Sequence, residues 1–212
     1  MKEYSTVVWD FNGTLIDDVM ASLEAVNDML IRRSQPTIDL DRYYKEIDIP
    51  IWNFYKNVFL EGTITPEEAM AEYDSGYEAH LLPNPIMAGV VDILDYLKLL
   101  GKRQIVVSAS NVNKVKSRLK DFDILSYFDT VLAHSDYNAG DKTYLAKQYF
   151  LENNISPQDA VIIGDSIFDF KMASDLGCDC ILNTKGHQSR REFSVTTAQI
   201  IDDLIELKNI IR

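Results

Sequence analysis

Thr6 to Leu15 reads T-V-V-W-D-F-N-G-T-L, and the fold follows from how this stretch is read. Thr6 to Trp9 are strong β-formers in an apolar run, which predicts a short buried strand. The run ends at Asp10, and Gly13 predicts a sharp turn. A carboxylate at the C-terminal end of a hydrophobic strand stands where α/β proteins place their chemistry. Taken alone, Asp10 could equally be a turn-capping residue. Val161-Ile162-Ile163-Gly164-Asp165 repeats the design, with Asp169 one helical turn further on. Two such strand ends in one chain favour chemistry over turn capping.

The 212 residues suffice for one large domain or for a core with a small insert. Hydrophobic residues make up 46%, enough for a sizeable core, and charged residues 25%, ordinary for a globular chain. A formal net charge of −12 argues against a nucleic-acid partner, because phosphate backbones call for a basic surface. A small phosphorylated substrate stays compatible, since a metal and one lysine reverse the field locally. No apolar stretch approaches the roughly 18 residues of a membrane span, and no secretion signal is visible. Cys178 and Cys180 sit two apart in an expected strand and point to opposite faces, a poor geometry for a mutual disulfide. They read as small core residues of a reducing compartment, with cytoplasm the default location. Oligomeric state is left open.

Strand–helix alternation runs through most of the chain. Helices are expected over residues 90–100, 111–119, 141–150 and 168–176, and strands over 104–107, 130–132, 160–163 and 178–182. A last helix is expected after Thr196 or Thr197, with Ile200, Leu204, Leu207 and Ile211 facing inward. The alternation predicts a Rossmann-like, mostly parallel sheet covered by helices on both faces. Residues 17–82 interrupt it. They carry helical spacings only: Val19, Leu23, Val26, Met29 and Leu30 on one helix, then Asp39–Ile47, then a helix opened by Pro50. Thr65-Pro66-Glu67-Glu68 adds a capping box with proline in the first turn. Asp17 and Asp18 suit the positive end of the first of these helices. The reading is therefore an α/β core of residues 1–16 and 83–212, with an inserted all-helical cap over residues 17–82. The cap aromatics Tyr43, Tyr44, Trp52, Phe54, Tyr55 and Phe59 read as its small core.

D-F-N-G-T-L at Asp10 to Leu15 resembles the first motif of the haloacid dehalogenase superfamily, and Gly164-Asp165-Ser166-Ile167-Phe168-Asp169 resembles its acidic fourth motif. Ile105-Val106-Val107-Ser108 resembles the second motif, and Lys142, after Gly140-Asp141, resembles the third-motif lysine. Order and spacing fit from Met1 to about Thr184, and the layout is most similar to the phosphoglycolate-phosphatase branch. The resemblance implies a Mg²⁺-dependent phosphomonoester hydrolase acting on a small phosphorylated metabolite. It implies Asp10 as nucleophile, forming an aspartyl phosphate that water hydrolyses. Asp10, Asp165, Asp169 and the backbone carbonyl of Asn12 would hold the metal. Ser108, the Ala109 backbone and Lys142 would hold the phosphate oxygens, with Ser110 and Asn111 as rivals for the hydroxyl role.

The residues support this chemistry on their own terms. Three carboxylates packed together repel one another and raise one another's pKa unless a cation lies between them. Mg²⁺ takes oxygen ligands and keeps room for substrate phosphate. A lysine beside them would stabilise the charge of a transferring phosphoryl group.

Asn12 departs from the pattern. The superfamily's phosphatases have an aspartate there that protonates the leaving oxygen and later activates water. A carboxamide donates a hydrogen bond but cannot carry the proton. The readings left open are a slow phosphatase, another acid–base group in place of the aspartate, and a module that binds a phosphate ligand without turnover. A phosphonate-cleaving hydrolase, which would need a cap lysine such as Lys45 or Lys56, is a further alternative. Among the histidines, His80 ends a cap helix, His134 has no marked neighbourhood, and His187 follows the last core strand. His187 therefore emerges at the active-site end and is a candidate for shaping the pocket.

Overall fold

The computed structural model describes residues 2–134 and 142–212. Gly140 and Asp141, and with them the expected start of the helix before Lys142, lie outside the described residues. Six strands form one sheet: β1 (Thr6–Trp9), β2 (Arg103–Asn111), β3 (Thr130–His134), β4 (Ala160–Gly164), β5 (Asp179–Asn183) and β6 (Gln199–Ile201). They lie in the order β3-β2-β1-β4-β5-β6, and every pairing is parallel. Trp9 stands opposite Val106 on one side and Ile163 on the other, so β1 is central and flanked on both edges.

The period of two along the strands builds two cores. Val7, Trp9, Val106, Ile163 and Ile181 face α5 (Val90–Leu99) and α6 (Val112–Asp121). Val8, Ile105, Val107, Ile162 and Leu182 face α7 (Lys142–Glu152) and α8 (Ile167–Leu176). Burial on both faces is what makes these strands read as uninterrupted apolar runs. The strand order reverses between β1 and β4, and open α/β sheets bind their ligands at such a crevice.

The cap consists of α1 (Val19–Arg32), α2 (Leu40–Glu46), α3 (Ile51–Val58) and α4 (Pro66–His80). It has its own core, in which Leu23, Met29, Leu30, Tyr43, Phe54, Tyr55 and Phe59 are buried. The expected capping box of α4 is present: Thr65 accepts from the Glu68 amide, and Glu68 accepts from the Thr65 amide. The two chain crossings into the cap run side by side. Asp17 N donates to Pro85 O at 2.6 Å, and Met87 N donates to Leu15 O at 3.0 Å. The insert thus leaves and re-enters the core at one point, shortly after β1.

Three local expectations need correction. Residues 199–201 are strand β6 rather than the start of a helix, and Leu204–Asn209 is a 3₁₀ helix capped by Asp203. Ile200 and Ile201 add to the edge of β5, while Leu204 and Leu207 are buried at a spacing of three residues that serves a 3₁₀ helix equally well. β2 continues past Val107 through Ser108, Ala109 and Ser110 to Asn111, with an irregularity in its pairing to β3. Leu100, expected inside the helix over residues 90–100, lies just past the end of that helix and is exposed.

Candidate active site

Asp10 leaves the end of β1 and Asp165 the end of β4, one on each side of the crevice. Their carboxylates and that of Asp169, in the first turn of α8, are all buried, and one oxygen from each lies within 4.8 Å of the others. Buried like charges at this spacing need a counter-charge. Lys142 supplies part of it, with Nζ 2.5 Å from Asp10 Oδ1 and 2.6 Å from Asp169 Oδ1. Burial disfavours the ammonium, but the two carboxylates outweigh that and raise its pKa. Burial also drives the Asp10 carboxyl well up, against the opposing pull of Lys142. Asp165 is pushed up to about 6, chiefly by burial.

Each carboxylate is aimed by its neighbours. Asp169 Oδ2 accepts from the amides of Asp165 and Ser166 and from the Ser166 hydroxyl, the capping box of α8. Asp165 Oδ1 accepts from Thr14 Oγ1 at 3.1 Å, and its Oδ2 accepts from the His187 amide at 2.5 Å. Glycine makes this packing possible. Gly13 has φ +71°, and a Cβ on it would strike both the Asp165 carboxylate and the His187 ring. A Cβ on Gly186 would strike Asp165 from the other side. Three convergent, oxygen-only donors cradled by backbone form a set that fits Mg²⁺.

Ser108 lies within β2, just past Val107 where the pairing to β3 becomes irregular; it is buried, and its Oγ accepts from the Ser110 amide at 3.1 Å. The geometry separates its two rivals. Ser110 Oγ donates to Asn12 Oδ1 at 2.8 Å, and Asn111 is the N-cap of α6, accepting from the amides of Asn113 and Lys114. Ala109 is the exposed residue between Ser108 and Ser110.

A second cluster adjoins the first, and sequence reasoning missed most of it. Asp18 stands at the N-cap position of α1 without capping it. Its buried carboxylate instead accepts from the Gly13 amide (2.8 Å), Asn12 Nδ2 (2.5 Å) and the Tyr77 hydroxyl (2.7 Å), and it meets His187 Nε2 at 3.1 Å. The other ring nitrogen of His187 meets the Tyr43 hydroxyl at 2.8 Å. Tyr43 and Tyr77 come from cap helices α2 and α4, so the cap touches the catalytic loops directly. Burial would raise the Asp18 pKa, but His187, Asn12 and Tyr77 together hold it below the usual carboxylate range. Burial would lower that of His187, but Asp18 and Asp165 bring it up to about 9. The usable sequence signal was the place of Lys185-Gly186-His187 just beyond the last strand of the motif set.

The other histidines lie apart. His80 pairs with Asp28 at 2.9 Å on the cap, and His134 ends β3 with Nε2 buried and unpaired. Both cysteines are free. Among the described residues, no helix is long and apolar enough to cross a membrane.

Comparison with known proteins agrees with this arrangement. The chain is 26% identical over 95% of its length to phosphoglycolate phosphatase 1 of Pseudomonas aeruginosa, covering 77% of that protein. It is 24% identical over its whole length to a phosphoglycolate phosphatase of Nitrosococcus oceani, covering 98% of it. Its fold matches a haloacid dehalogenase-like family hydrolase from Streptococcus pneumoniae with a TM-score of 0.82 at 20% identity, over 99% of both chains. The family model for haloacid dehalogenase-like hydrolases matches residues 7–183, a span that holds both acidic strand ends, the serine and the lysine, and the chain belongs to that family.

Proposed function

We propose that the protein is a Mg²⁺-dependent phosphomonoester hydrolase acting on a small phosphorylated metabolite. The observation that carries the reading is the buried Asp10–Asp165–Asp169 cluster with Lys142 bridging two of its members. The curated relatives are named as phosphatases of one small phosphorylated acid, which supports the reaction class.

In this reading Asp10, Asp165, Asp169 and the Asn12 carbonyl hold the ion. When bound, it neutralises the carboxylates and polarises the phosphate oxygens. Asp10 attacks phosphorus as the bond to the alcohol oxygen breaks, giving an aspartyl phosphate and an alcohol that takes its proton from solvent water; a second water then displaces Asp10 and releases inorganic phosphate, so one difficult step becomes two easier ones. Lys142 holds Asp10 in place and stabilises the charge on the transferring group. Ser108 Oγ and the Ala109 backbone take the remaining phosphate oxygens. The core is residues 1–16 and 83–212, and residues 17–82 close over the site.

Asn12 has no acid proton to transfer, and its carboxamide is engaged at both ends, by Asp18 and Ser110. That engagement favours a slow hydrolase, and as a second reading a module that holds a phosphate ligand without turnover. The phosphonate-cleaving alternative has no support from the cap: Lys45 is 77% exposed beside Glu46, and Lys56 is exposed.

The test is phosphate release over a panel of small phosphomonoesters, with Mg²⁺ and with chelator, for the natural sequence beside Asp10→Asn. Turnover that needs both the metal and Asp10 is expected. Release that persists in Asp10→Asn would overturn the assignment of the nucleophile. No release from any ester, with Mg²⁺ bound, would favour the binding module.

A further inference from the structure

Both oxygens of the Asp165 carboxylate are held by other loops. Oδ1 accepts from the Thr14 hydroxyl, and Oδ2 accepts from the His187 amide. Both donors lean in turn on Asp18. Thr14 follows Gly13, whose amide donates to Asp18 Oδ1 at 2.8 Å, and the His187 ring meets the same oxygen at 3.1 Å. Asp18 thus fastens together the two loops that aim Asp165, while lying outside the Asp10–Asp165–Asp169 cluster itself.

The cap completes this fastening. Asp18 lies at the pivot, one residue past the crossing at which Asp17 N donates to Pro85 O. Tyr77 of α4 donates to Asp18 Oδ2 at 2.7 Å, and Tyr43 of α2 meets His187 Nδ1 at 2.8 Å. Tyr43 belongs to the cap's own hydrophobic core, which is separate from the two cores of the sheet. Elsewhere across the junction the cap meets the core through ion pairs, Lys114 with Asp74 at 2.6 Å and Arg118 with Glu78. A body with its own core, joined by two chain crossings and polar contacts, can tilt as a unit. Tilting it withdraws both tyrosine hydroxyls, and the pair that aims Asp165 loses two of its hydrogen bonds.

We propose that Asp18 and His187 are positioning residues for the metal ligand Asp165, and that Tyr43 and Tyr77 make this positioning depend on the docked cap. Partners behind a metal ligand fix its orientation and so set the affinity for the ion. By linkage, the docked cap favours the ion by the same factor as the ion favours the docked cap. The inference rests on the metal site of the hydrolase reading and is independent of which ester is cleaved.

The test uses Mn²⁺ alone, without substrate, at about pH 7.5. Mn²⁺ takes the same oxygen ligands, and its free form is counted by electron paramagnetic resonance. Tyr43→Phe/Tyr77→Phe removes two hydroxyls and no charge. Its dissociation constant for Mn²⁺ should rise about tenfold, and that of each single variant about threefold. If the double variant does not fold, the single variants decide. Docking is read by zero-length carbodiimide coupling of Lys114 to Asp74, which needs the cap seated. Mn²⁺ should raise the coupling yield in the natural protein and leave it low in the double variant. Equal Mn²⁺ affinity in the natural protein and the folded variants would overturn the proposal, as would a natural coupling yield that the ion does not move. Asp165→Asn separates the two failures. Binding that survives this substitution would defeat the metal-site reading and the proposal with it. Binding lost there but unchanged in the tyrosine variants would overturn the proposal alone.

Discussion

Asn12 Nδ2 lies 2.5 Å from Asp18 Oδ2, so the carboxamide that replaces the expected acid is held by a carboxylate six residues on. The sequence alone suggests that Asn12→Asp restores a proton carrier and raises turnover. The pairing makes that gain conditional, because the new carboxylate would face Asp18 in a buried pocket and lose the hydrogen bond. Asn12→Asp alone should therefore destabilise the protein by on the order of 2 kcal/mol. The exchanged pair Asn12→Asp/Asp18→Asn should restore the hydrogen bond between the two positions and so recover part of the stability, though not the ion pair of Asp18 with His187, and should speed turnover, most for poor leaving groups, towards the roughly 10²- to 10⁴-fold typical of general acid–base help. A double-mutant cycle in melting temperature and kcat checks both. Additive effects would show that the two residues are not coupled.

Lys142 is the cation that faces the buried carboxyl groups of Asp10 and Asp169. Lys142→Met keeps most of the volume and removes the charge. Breaking one side of a buried ion pair typically costs about 3–5 kcal/mol, so the metal-free protein should melt markedly earlier. Mg²⁺ should restore part of the loss, because an ion at the cluster supplies the missing charge. Turnover should stay at least about 10²-fold down even with Mg²⁺ if, as proposed, the lysine also stabilises the transferring phosphoryl group. Calorimetric melting with and without Mg²⁺, beside phosphate release, separates the two roles. Full recovery of kcat by Mg²⁺ would leave Lys142 a purely structural residue.

Much of this site was legible because its residues sit where a change of local pattern marks them. Asp10 and Asp165 end apolar runs, Asp169 follows by one helical turn, and Ser108 lies in a third run. Their convergence follows from a parallel sheet whose order reverses between β1 and β4. The Asp18–His187 pair was not legible, because 169 residues separate its members and only the docked cap and the Gly186 turn bring them together. Asp18 also carried a misleading signal. An aspartate before a helix reads as its cap, yet here four other donors take the carboxylate. The final helix was misread for a related reason. Leu204 and Leu207 share a spacing that α and 3₁₀ helices both satisfy, and the β-branched pair Ile200-Ile201 was the signal against an α-helix.

The carboxyl of Asp165, raised from 3.8 to about 6, sets how metal and protons compete. Without metal, the folded state holds this proton more tightly than the unfolded chain. Its contribution to stability is therefore greatest at low pH and declines as pH rises through about 6. Mg²⁺ binds the ionised form and displaces the proton, so its stabilising effect grows as pH rises. The rise in melting temperature on adding millimolar Mg²⁺ should be clearly larger at about pH 7.5 than at about pH 5. Asp165→Asn should reduce it at both. A gain independent of pH would place the ion away from this cluster.

His187 gives the opposite signature on the alkaline side. Its folded pKa of about 9 lies above the ordinary 6.5, because Asp18 holds the imidazolium against the cost of burial. A cation favoured in the folded state stabilises it fully below about 6.5, and the contribution is lost as pH rises through about 9. Asp18 stays ionised across that window, since its own pKa is lowered. His187→Gln keeps a hydrogen-bonding side chain and removes the charge. The natural protein should therefore exceed His187→Gln in stability near pH 6 by roughly 3 kcal/mol at most, at about 1.4 kcal/mol per tenfold change in proton affinity. The gap should close by about pH 10, with the metal-free forms compared by urea unfolding across the range. A gap that stays constant with pH would mean that the ring acts through packing against Tyr43 alone, and that the charge pair with Asp18 does not stabilise the fold.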